Sequence, residues 1–433
     1  MRFGIFCVLA AGLAAASALA VAQPQLDEKE MRMAAAVQSR KDAALAFLKR
    51  TVAINSGTLN TEGVRATGKL YRAAFEDLGF ATRWVEMPPE MKRAGHLVAS
   101  FNPGEGPKEK RLLLLGHMDT IFEPDSPVEP WKTDADGKRV WGQGVSDMKG
   151  GNSVMLEALS ALKSAGALDG MSIHVMLTGD EERVGAPLEV ARAELIALAK
   201  DSGIVLSFEG MSRQVDGIEQ VAIARRASGG WVLEVNARQG HSSGVFGPVT
   251  GFGAGYELAR IVNAFRERLI EPGLTFSVGT MLAGTEVTFD NEQSRGNVFG
   301  KNNVIPPMAM ARGDLRYLSN EQRNKAREGM RAIVAESLRG TSATIRFSET
   351  YPPMPPTPGN VRLARLYSEA SVAAGLGPVT PADPASRGAG DIQFAAPHAD
   401  AWMGSAPQAV APTRRWNFCM WIRSNETPCA RHS

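Results

Sequence analysis

Apolar and polar positions in the first half of the chain predict strands that alternate with helices. Apolar or alternating runs predict strands at residues 81–87, 96–101, 112–115, 171–180, 203–208 and 219–224. Segments with helical spacing predict helices at residues 28–54, 62–78, 150–166 and 187–200. This alternation predicts an α/β fold, a mostly parallel sheet flanked by helices on both faces.

The pattern changes after residue 224. Strands are predicted at residues 228–238, 274–284, 307–318 and 341–350, and helices at residues 251–269 and 321–338. The order β-α-β-β-α-β fits a split βαβ unit, so we predict an inserted α+β, ferredoxin-like domain at residues 225–350. Residues 23–224 and 351–433 would form the discontinuous main domain, to which the proline-rich segment 351–359 and a helix at 361–374 return the chain.

Composition narrows the possible partners. The chain has 433 residues, enough for two domains, and its hydrophobic fraction of 44% is that of a globular protein. A formal net charge of +2, without a block of lysine or arginine, gives no reason to expect nucleic acid or an anionic membrane as a partner.

The first 22 residues predict a secretory signal peptide. Arg2 precedes an apolar, alanine-rich stretch, and Ala20-Val21-Ala22 has the form of a cleavage site. We therefore expect a periplasmic or secreted protein, with an uncleaved anchor helix as the alternative. Of the three cysteines, Cys419 and Cys429 would remain, so no disulfide framework is expected.

Imidazole and carboxylate side chains follow the predicted strands of the first half. They are His117 and Asp119, Asp147 on a glycine-flanked loop, the pair Glu181 and Glu182, and Glu209. The carboxyl ends of parallel strands meet at one edge, and zinc accepts imidazole and carboxylate ligands. Two oxygens would let Asp147 bridge two ions, while one glutamate of the pair binds metal and the other moves a proton. Asp119, two residues after His117, can accept the other ring N–H. Each residue alone could instead be a solvated or hydrogen-bonded strand end.

Four motifs in this order, GHMDT, GQGVSDMKGG, TGDEERVG and SFEG, resemble those of the M20 family of zinc-dependent peptidases and deacylases, in its glutamate carboxypeptidase branch. The resemblance covers residues 40–404 and implies two zinc ions per subunit. It implies His117 and Glu209 as terminal ligands, Asp147 as the bridge, Glu182 as the remaining ligand, Glu181 as general acid and base, and Asp119 as the residue that orients His117. It also implies a cis peptide bond between Asp147 and Met148.

The resemblance extends to the predicted inserted domain, which it implies to be a lid that also pairs subunits in a homodimer. GHSSG resembles the motif whose histidine holds the tetrahedral oxyanion, here His241; the alternative is a turn histidine. NNVIPP and ARGDLRY resemble segments that present Asn303 and Arg316 to a substrate carboxylate, for which a guanidinium is suited. The alternative for Arg316 is an ion pair with Asp314 or another surface carboxylate.

The end of the chain departs from the family pattern. After Gly404 the family has a glycine-rich loop with the last metal-binding histidine, whereas neither His398 nor His432 matches that position, and neither is assigned. In the frame that starts one base earlier, the codons of Trp416-Asn417 and of residues 420–422 force Glu, Val and Asp. With permitted third bases that frame can read a family-type ending with its histidine, so we hypothesise a one-base frameshift near codon 405.

Together these observations predict a di-zinc metallo-exopeptidase that hydrolyses the amide bond next to a C-terminal amino acid, with glutamate expected. The segment 348–359 has no arginine for a second carboxylate clamp, which weakens strict glutamate specificity. The substrate would be a peptide or acyl-amino acid with a free carboxylate. One alternative is an N-acyl-amino-acid deacylase. The other is a relative that binds peptides but is catalytically impaired, because the last metal-binding histidine is missing.

Overall fold

The computed structural model describes residues 26–134, 139–210, 212–215, 218–291, 295–386, 388–404 and 420–421. The predicted signal peptide, His432 and both remaining cysteines lie outside the described residues. So does the altered ending, apart from a two-residue strand at Met420–Trp421 that pairs with Arg139–Trp141. Among the described helices, none combines the length and the apolar character that a membrane span needs.

The α-helices are α1 (Glu28–Ser39), α2 (Lys41–Val52), α3 (Thr61–Asp77), α4 (Lys149–Ser164), α5 (Leu188–Ala191), α6 (Ala193–Asp201), α7 (Ala254–Arg268), α8 (Asn320–Ala335), α9 (Pro358–Ala373) and α10 (Ile392–Ala395). Short 3-10 turns occur at Pro89–Met91, Lys108–Lys110, Ser242–Gly244 and Pro384–Ser386. Side-chain caps begin several helices. The side chains of Asn60, Ser319 and Thr357 each accept a hydrogen bond from the main-chain N–H three residues further along the chain. This satisfies an amide that has no partner within the helix.

The strands are β1 (Ala81–Val85), β2 (His96–Phe101), β3 (Leu112–His117), β4 (Lys132–Thr133), β5 (Arg139–Trp141), β6 (Ile173–Thr178), β7 (Ile204–Ser207), β8 (Ser212–Val215), β9 (Ile218–Val221), β10 (Ala227–Ala237), β11 (Gly240–His241), β12 (Thr275–Phe276), β13 (Thr280–Gly284), β14 (Glu286–Asp290), β15 (Arg295–Phe299), β16 (Val304–Ile305), β17 (Met308–Tyr317), β18 (Thr341–Tyr351), β19 (Val379–Pro381), β20 (Asp400–Met403) and β21 (Met420–Trp421).

Three predicted elements are divided in the structure. The helix predicted at residues 28–54 is interrupted at Arg40, and the one predicted at 187–200 is interrupted at Arg192. Arg192 leaves helical geometry with φ of −113°, and its guanidinium turns into the protein interior. The strand predicted at residues 274–284 is two short strands, β12 and β13.

The first sheet has six strands in the order β1-β2-β6-β3-β7-β20. Strands β6, β3, β7 and β20 are parallel, and β1 and β2 are antiparallel to their neighbours. Leu114 packs on one face with Tyr71 and Leu159 of helices α3 and α4, while Leu113 and Leu115 pack on the other face. Both faces are covered, which explains the continuous apolar run of β3 and confirms the mostly parallel sheet.

The second sheet is antiparallel, in the order β12-β17-β10-β18 with β13 beside β17. Helices α7 and α8 contribute to its core, in which Trp231 of β10 meets Phe265 of α7 edge to face. The strand order and the β-α-β-β-α-β succession agree with the predicted ferredoxin-like unit. The hairpin of β14 and β15 was not predicted, and the boundaries at residues 225 and 350 stay a prediction.

Candidate active site

The carboxyl edge of the first sheet brings the predicted metal-binding residues together. His117 ends β3, which lies between β6 and β7. The turn after β6 carries Glu181 and Glu182, and the segment after β7 carries Glu209. Asp147 reaches the same place from the loop before α4. Donor atoms lie within 4.8 Å of one another in two groups, His117 with Asp147 and Glu182, and His117 with Glu181 and Glu209.

The two ring nitrogens of His117 have different surroundings. Nε2 lies 3.1 Å from a carboxylate oxygen of Asp147 and 3.2 Å from one of Glu209. Nδ1 lies 3.0 Å from the main-chain oxygen of Asp119 and 3.4 Å from its carboxylate. The ring is 1% exposed, so these partners hold it with Nε2 directed into the cluster.

Asp119 connects the histidine to the turn that carries the two glutamates. Its buried carboxylate accepts hydrogen bonds from the main-chain N–H of Glu181 at 3.0 Å and of Glu182 at 3.1 Å. The hydroxyl of Thr58, which the sequence did not single out, donates to it at 2.6 Å. One carboxylate therefore fixes both the imidazole and the glutamate pair.

The electrostatics of the cluster suit a divalent cation. Burial raises the pKa of Glu181 well above its usual range, and burial together with the Asp147 carboxylate raises that of Glu182 to about 8. Burial lowers the pKa of His117, but its contacts with Asp119, Asp147 and Glu209 outweigh that effect and raise it well above 6.5. Crowded carboxylates around one imidazole repel one another unless a positive charge lies between them, and the imidazole and oxygen donors are those of zinc.

Hydrogen bonds of the residues after Asp147 hold the loop that carries it. The Asp147–Met148 peptide bond is cis, as the resemblance implies. The buried ammonium of Lys149 donates to the main-chain oxygens of Thr51 and Ile54, at 3.1 and 2.8 Å. Asn152 of α4 donates to the carbonyl of His117 at 2.7 Å. The start of α4 is therefore joined to the end of β3.

The structure places His241 on a separate two-stranded unit and Asn303 directly before the second strand of that unit. His241 in β11 pairs with Val304 in β16, and the N–H of Ser242 donates to the carbonyl of Asn303 at 2.9 Å. The His241 ring is exposed, with Nδ1 2.8 Å from the hydroxyl of Ser243. Within the described residues, no hydrogen bond or ion pair joins it to the carboxylates around His117. Its predicted role stays a prediction.

Arg316 lies on β17 of the second sheet, opposite Ser228 and Thr275. Its Nε donates to the Asp314 carboxylate at 2.9 Å, the alternative pairing that the sequence left open. The Arg316 side chain remains 33% exposed, so its guanidinium is accessible from solvent. His398 belongs to neither of the two donor groups.

A buried ionic network behind Glu181 was not predicted. Arg192 donates to Asp180 at 2.6 Å and to Asp391 at 2.7 Å, and Asp391 also accepts from Thr178 at 2.7 Å. The only local signal was that Asp180 ends the predicted strand at 171–180 and that Asp391 follows a glycine-rich segment. Arg192 sits in an ordinary helical pattern, so its inward direction could not be read from the sequence.

A mostly parallel sheet with imidazole and carboxylate donors at its carboxyl edge is the arrangement of a metal-dependent hydrolase. The model of "Peptidase family M20/M25/M40" matches residues 113–415. Carboxypeptidase G2 of Pseudomonas sp. (strain RS-16) is 30% identical over 323 residues, 74% of this chain and 69% of that protein. The chain belongs to peptidase family M20/M25/M40, and it is a hydrolase of the metallopeptidase or amidohydrolase kind.

Two further comparisons concern another curated relative and a solved structure. The succinyl-diaminopimelate desuccinylase of Gluconobacter oxydans is 26% identical over 257 residues, 57% of this chain and 61% of that protein. The crystal structure of a tripeptidase from Staphylococcus aureus superposes with a TM-score of 0.66 at 18% identity, covering 88% of this chain and 93% of that one. The likeness to the tripeptidase structure supports the fold assignment alone.

Proposed function

We propose that this protein is a metallo-carboxypeptidase that holds two zinc ions and hydrolyses the amide bond next to a C-terminal amino acid, with glutamate as the first residue to test. The observation that carries the proposal is the pair of donor groups that share His117. Each group contains two carboxylates besides the imidazole. Nε2 of His117 can bind only one ion and Glu181 is needed for proton transfer, so a second ion would rest on the carboxylates of Asp147, Glu182 and Glu209.

The residues divide into ligands and a proton carrier. His117 and Glu209 would be terminal ligands, Asp147 would bridge the ions, and Glu182 would complete the carboxylate set. When bound, the ions would acidify a water molecule and polarise the scissile carbonyl. Glu181 would accept the proton of the attacking water and deliver it to the leaving nitrogen.

Substrate recognition would come from the second sheet and the β11–β16 unit. Arg316 and Asn303 would hold the free carboxylate of the substrate, and His241 would donate to the tetrahedral oxyanion. Nδ1 of His241 contacts Ser243, which leaves Nε2 to donate once the ring approaches the donor groups when substrate binds. The exposure of the His241 ring is compatible with that movement.

Hydrolysis of N-acyl-amino acids is the second candidate. The likeness to a succinyl-diaminopimelate desuccinylase favours it, because that name describes removal of an acyl group rather than a C-terminal residue. A panel of acyl-glutamates and dipeptides with C-terminal glutamate separates the two candidates. Faster turnover of the acyl compounds would replace the carboxypeptidase assignment with a deacylase one.

The metal requirement is tested on two forms of the protein. One is the 433-residue chain, and the other has the residues after Gly404 replaced by the family-type ending of the neighbouring reading frame. Both are stripped with a chelator and reloaded with zinc, and bound zinc is counted beside hydrolysis. We expect zinc to restore hydrolysis in the second form, and the first to bind less zinc. Chelator-resistant activity, or no amide hydrolysis by either form with zinc, would refute the proposal.

We also propose export and pairing of subunits. The predicted signal peptide supports a periplasmic or secreted enzyme, which N-terminal sequencing of the protein from cell fractions would test. A second copy would cover the apolar cavity of about 610 Å³ between α7 and the exposed strands β12 and β13. Light scattering after size-exclusion chromatography would test the homodimer, and a monomer at micromolar concentration would contradict it.

A further inference from the structure

A hydrogen bond joins the end of the second sheet to the turn that carries Glu181. The hydroxyl of Tyr351 donates to the main-chain carbonyl of Glu181 at 3.1 Å. Tyr351 is the last residue of β18, and it is 170 positions away from Glu181 along the chain. This contact therefore links the second sheet to the edge of the first sheet at which the metal-binding residues meet.

A bulge in β18 gives Tyr351 its direction. Gly229 of β10 lies opposite Glu349, and the next residue, Ser228, lies opposite Tyr351, so Thr350 is an extra residue. Residues opposite each other on paired strands share a face, and neighbours along a strand alternate. The extra residue therefore places Tyr351 on the face opposite to that of Glu349. Without the bulge, Tyr351 would share the face of Glu349 and point away from the Glu181 turn.

Packing holds the Tyr351 ring in place. Its centroid lies 5.2 Å from that of Phe394, which is 7% exposed. The neighbouring Gln393 is fully buried and donates to the carbonyls of Arg226 and Pro352. Those carbonyls belong to the two segments by which the chain enters and leaves the second sheet. The junction is thus tied to α10 as well as to the Glu181 turn.

The Glu181 residue is consequently held from both sides. Its N–H donates at 3.0 Å to Asp119, which follows β3, and its carbonyl accepts from Tyr351 at 3.1 Å. Because the carboxylate is carried by this main chain, a shift of the peptide redirects the carboxylate. A position error of about 1 Å in a catalytic group can cost a large part of the rate.

We propose that Tyr351 is a positioning residue whose hydroxyl couples the placement of the second sheet to the orientation of Glu181. The inference rests on the proposed proton-transfer role of Glu181. It assigns no contact between Tyr351 and the substrate or the reacting atoms. Loss of the hydroxyl should therefore affect the rate of the chemical step more than substrate binding.

The test compares Tyr351→Phe with Tyr317→Phe in the full chain. The first substitution keeps the ring against Phe394 and removes the hydroxyl. Tyr317 is a buried tyrosine of the same sheet, at 1% exposure, and serves as the matched control. For Tyr351→Phe we expect kcat to fall about three- to tenfold, the range of one hydrogen bond, with KM, zinc content and Tm close to those of the control. The control should keep the wild-type kcat.

Hydrogen–deuterium exchange supplies a readout that needs no turnover. We expect faster exchange in the peptide spanning residues 179–185 for Tyr351→Phe and wild-type exchange there for Tyr317→Phe. Unchanged exchange in that peptide, or a kcat that is unchanged or falls equally in both variants, overturns the inference. If neither the 433-residue chain nor the form with the family-type ending hydrolyses an amide substrate with zinc, the proposed function fails, and the exchange comparison alone decides whether Tyr351 orders the turn.

Discussion

Asp119→Asn is the substitution that most directly probes how the donor groups are held. Asparagine has nearly the shape of aspartate but replaces one carboxylate oxygen with an NH₂ group. The Asp119 carboxylate accepts from the N–H groups of Glu181 and Glu182 and from the hydroxyl of Thr58, and it lies beside His117. In either amide orientation, one main-chain N–H of the glutamate turn would face a donor in place of an acceptor.

The magnitude follows from that loss. A buried donor without an acceptor costs about 1–3 kcal/mol, and this should appear as reduced stability of the metal-free protein. The contact with the His117 ring weakens as well, because a neutral amide replaces a carboxylate. Losing a partner of a metal-binding histidine typically weakens metal binding or activity about 10- to 100-fold, which is about 1.4–2.8 kcal/mol.

The assay is competition for zinc between the protein and a chromophoric chelator, with urea unfolding of the metal-free protein beside it. Asp201→Asn is the control, because Asp201 pairs with Arg111 at a position that is 45% exposed. We expect the control to keep its zinc affinity. The role of Asp119 as the common support of His117 and the glutamates would be refuted if Asp119→Asn kept both the zinc affinity of the wild type and its free energy of unfolding in urea.

Three further predictions concern the proton carrier and its surroundings. Glu181→Gln should lower kcat about 10²- to 10⁴-fold with zinc content unchanged, measured by hydrolysis and metal analysis; loss of zinc would make Glu181 a ligand instead. Arg192→Met should destabilise the protein by about 3–5 kcal/mol in urea unfolding, because it leaves the carboxylates of Asp180 and Asp391 buried without their cation. Burial lowers the pKa of His96 below 6.5 in the folded protein. Below pH 6.5 the unfolded chain therefore gains a proton on this histidine before the folded protein does. The free energy of unfolding is highest above pH 6.5 as far as His96 is concerned, and it falls by up to about 1.4 kcal/mol per pH unit below that pH. His96→Gln should therefore unfold with a shallower pH dependence between pH 6.5 and pH 5, and an equal slope would contradict this assignment.

Most of the metal-binding candidates could be predicted because they lie at or shortly after the ends of strands, whereas Asp147 comes from the loop before α4. His117 ends β3, and Glu181 and Glu209 lie within three residues of the ends of β6 and β7. Parallel strands in one sheet end at the same edge, so the prediction needed neither the strand order nor the loop conformations. Proximity to a strand end and this one rule were sufficient to predict that His117, Glu181 and Glu209 lie together.

Residues that act across long separations could not be predicted in the same way. Arg192 and Asp391 are 199 positions apart, and the direction of Arg192 follows from a break between two helices that no glycine or proline announces. The direction of Tyr351 depends on the extra residue Thr350, which only the register with β10 reveals. The register between paired strands and the interruptions of helices depend on tertiary packing, so they cannot be predicted from the local sequence.

The hairpin of β14 and β15 is a different kind of omission. Residues of β14 alternate between exposed and partly buried positions, and a polar segment separates the two strands along the chain, so part of the signal was present in the sequence. The β-α-β-β-α-β succession is complete without this hairpin, so the predicted fold did not require it. The guanidinium of Arg312 on β17 lies 4.1 Å from the centroid of the Phe289 ring, which ties the hairpin to the second sheet.

The two halves of the proposed site also differ in how firmly the structure holds them. The metal-binding half is drawn from adjacent parallel strands, and His117 and Asp119 are at most 1% exposed. The substrate-binding half, with the exposed His241 and the half-buried Arg316, belongs to elements outside the first sheet. Motifs predict the chemistry of both halves, but a motif carries no distance between them. The hydrogen bond of Tyr351 and the contacts of Gln393 are physical links by which the position of one half can act on the other.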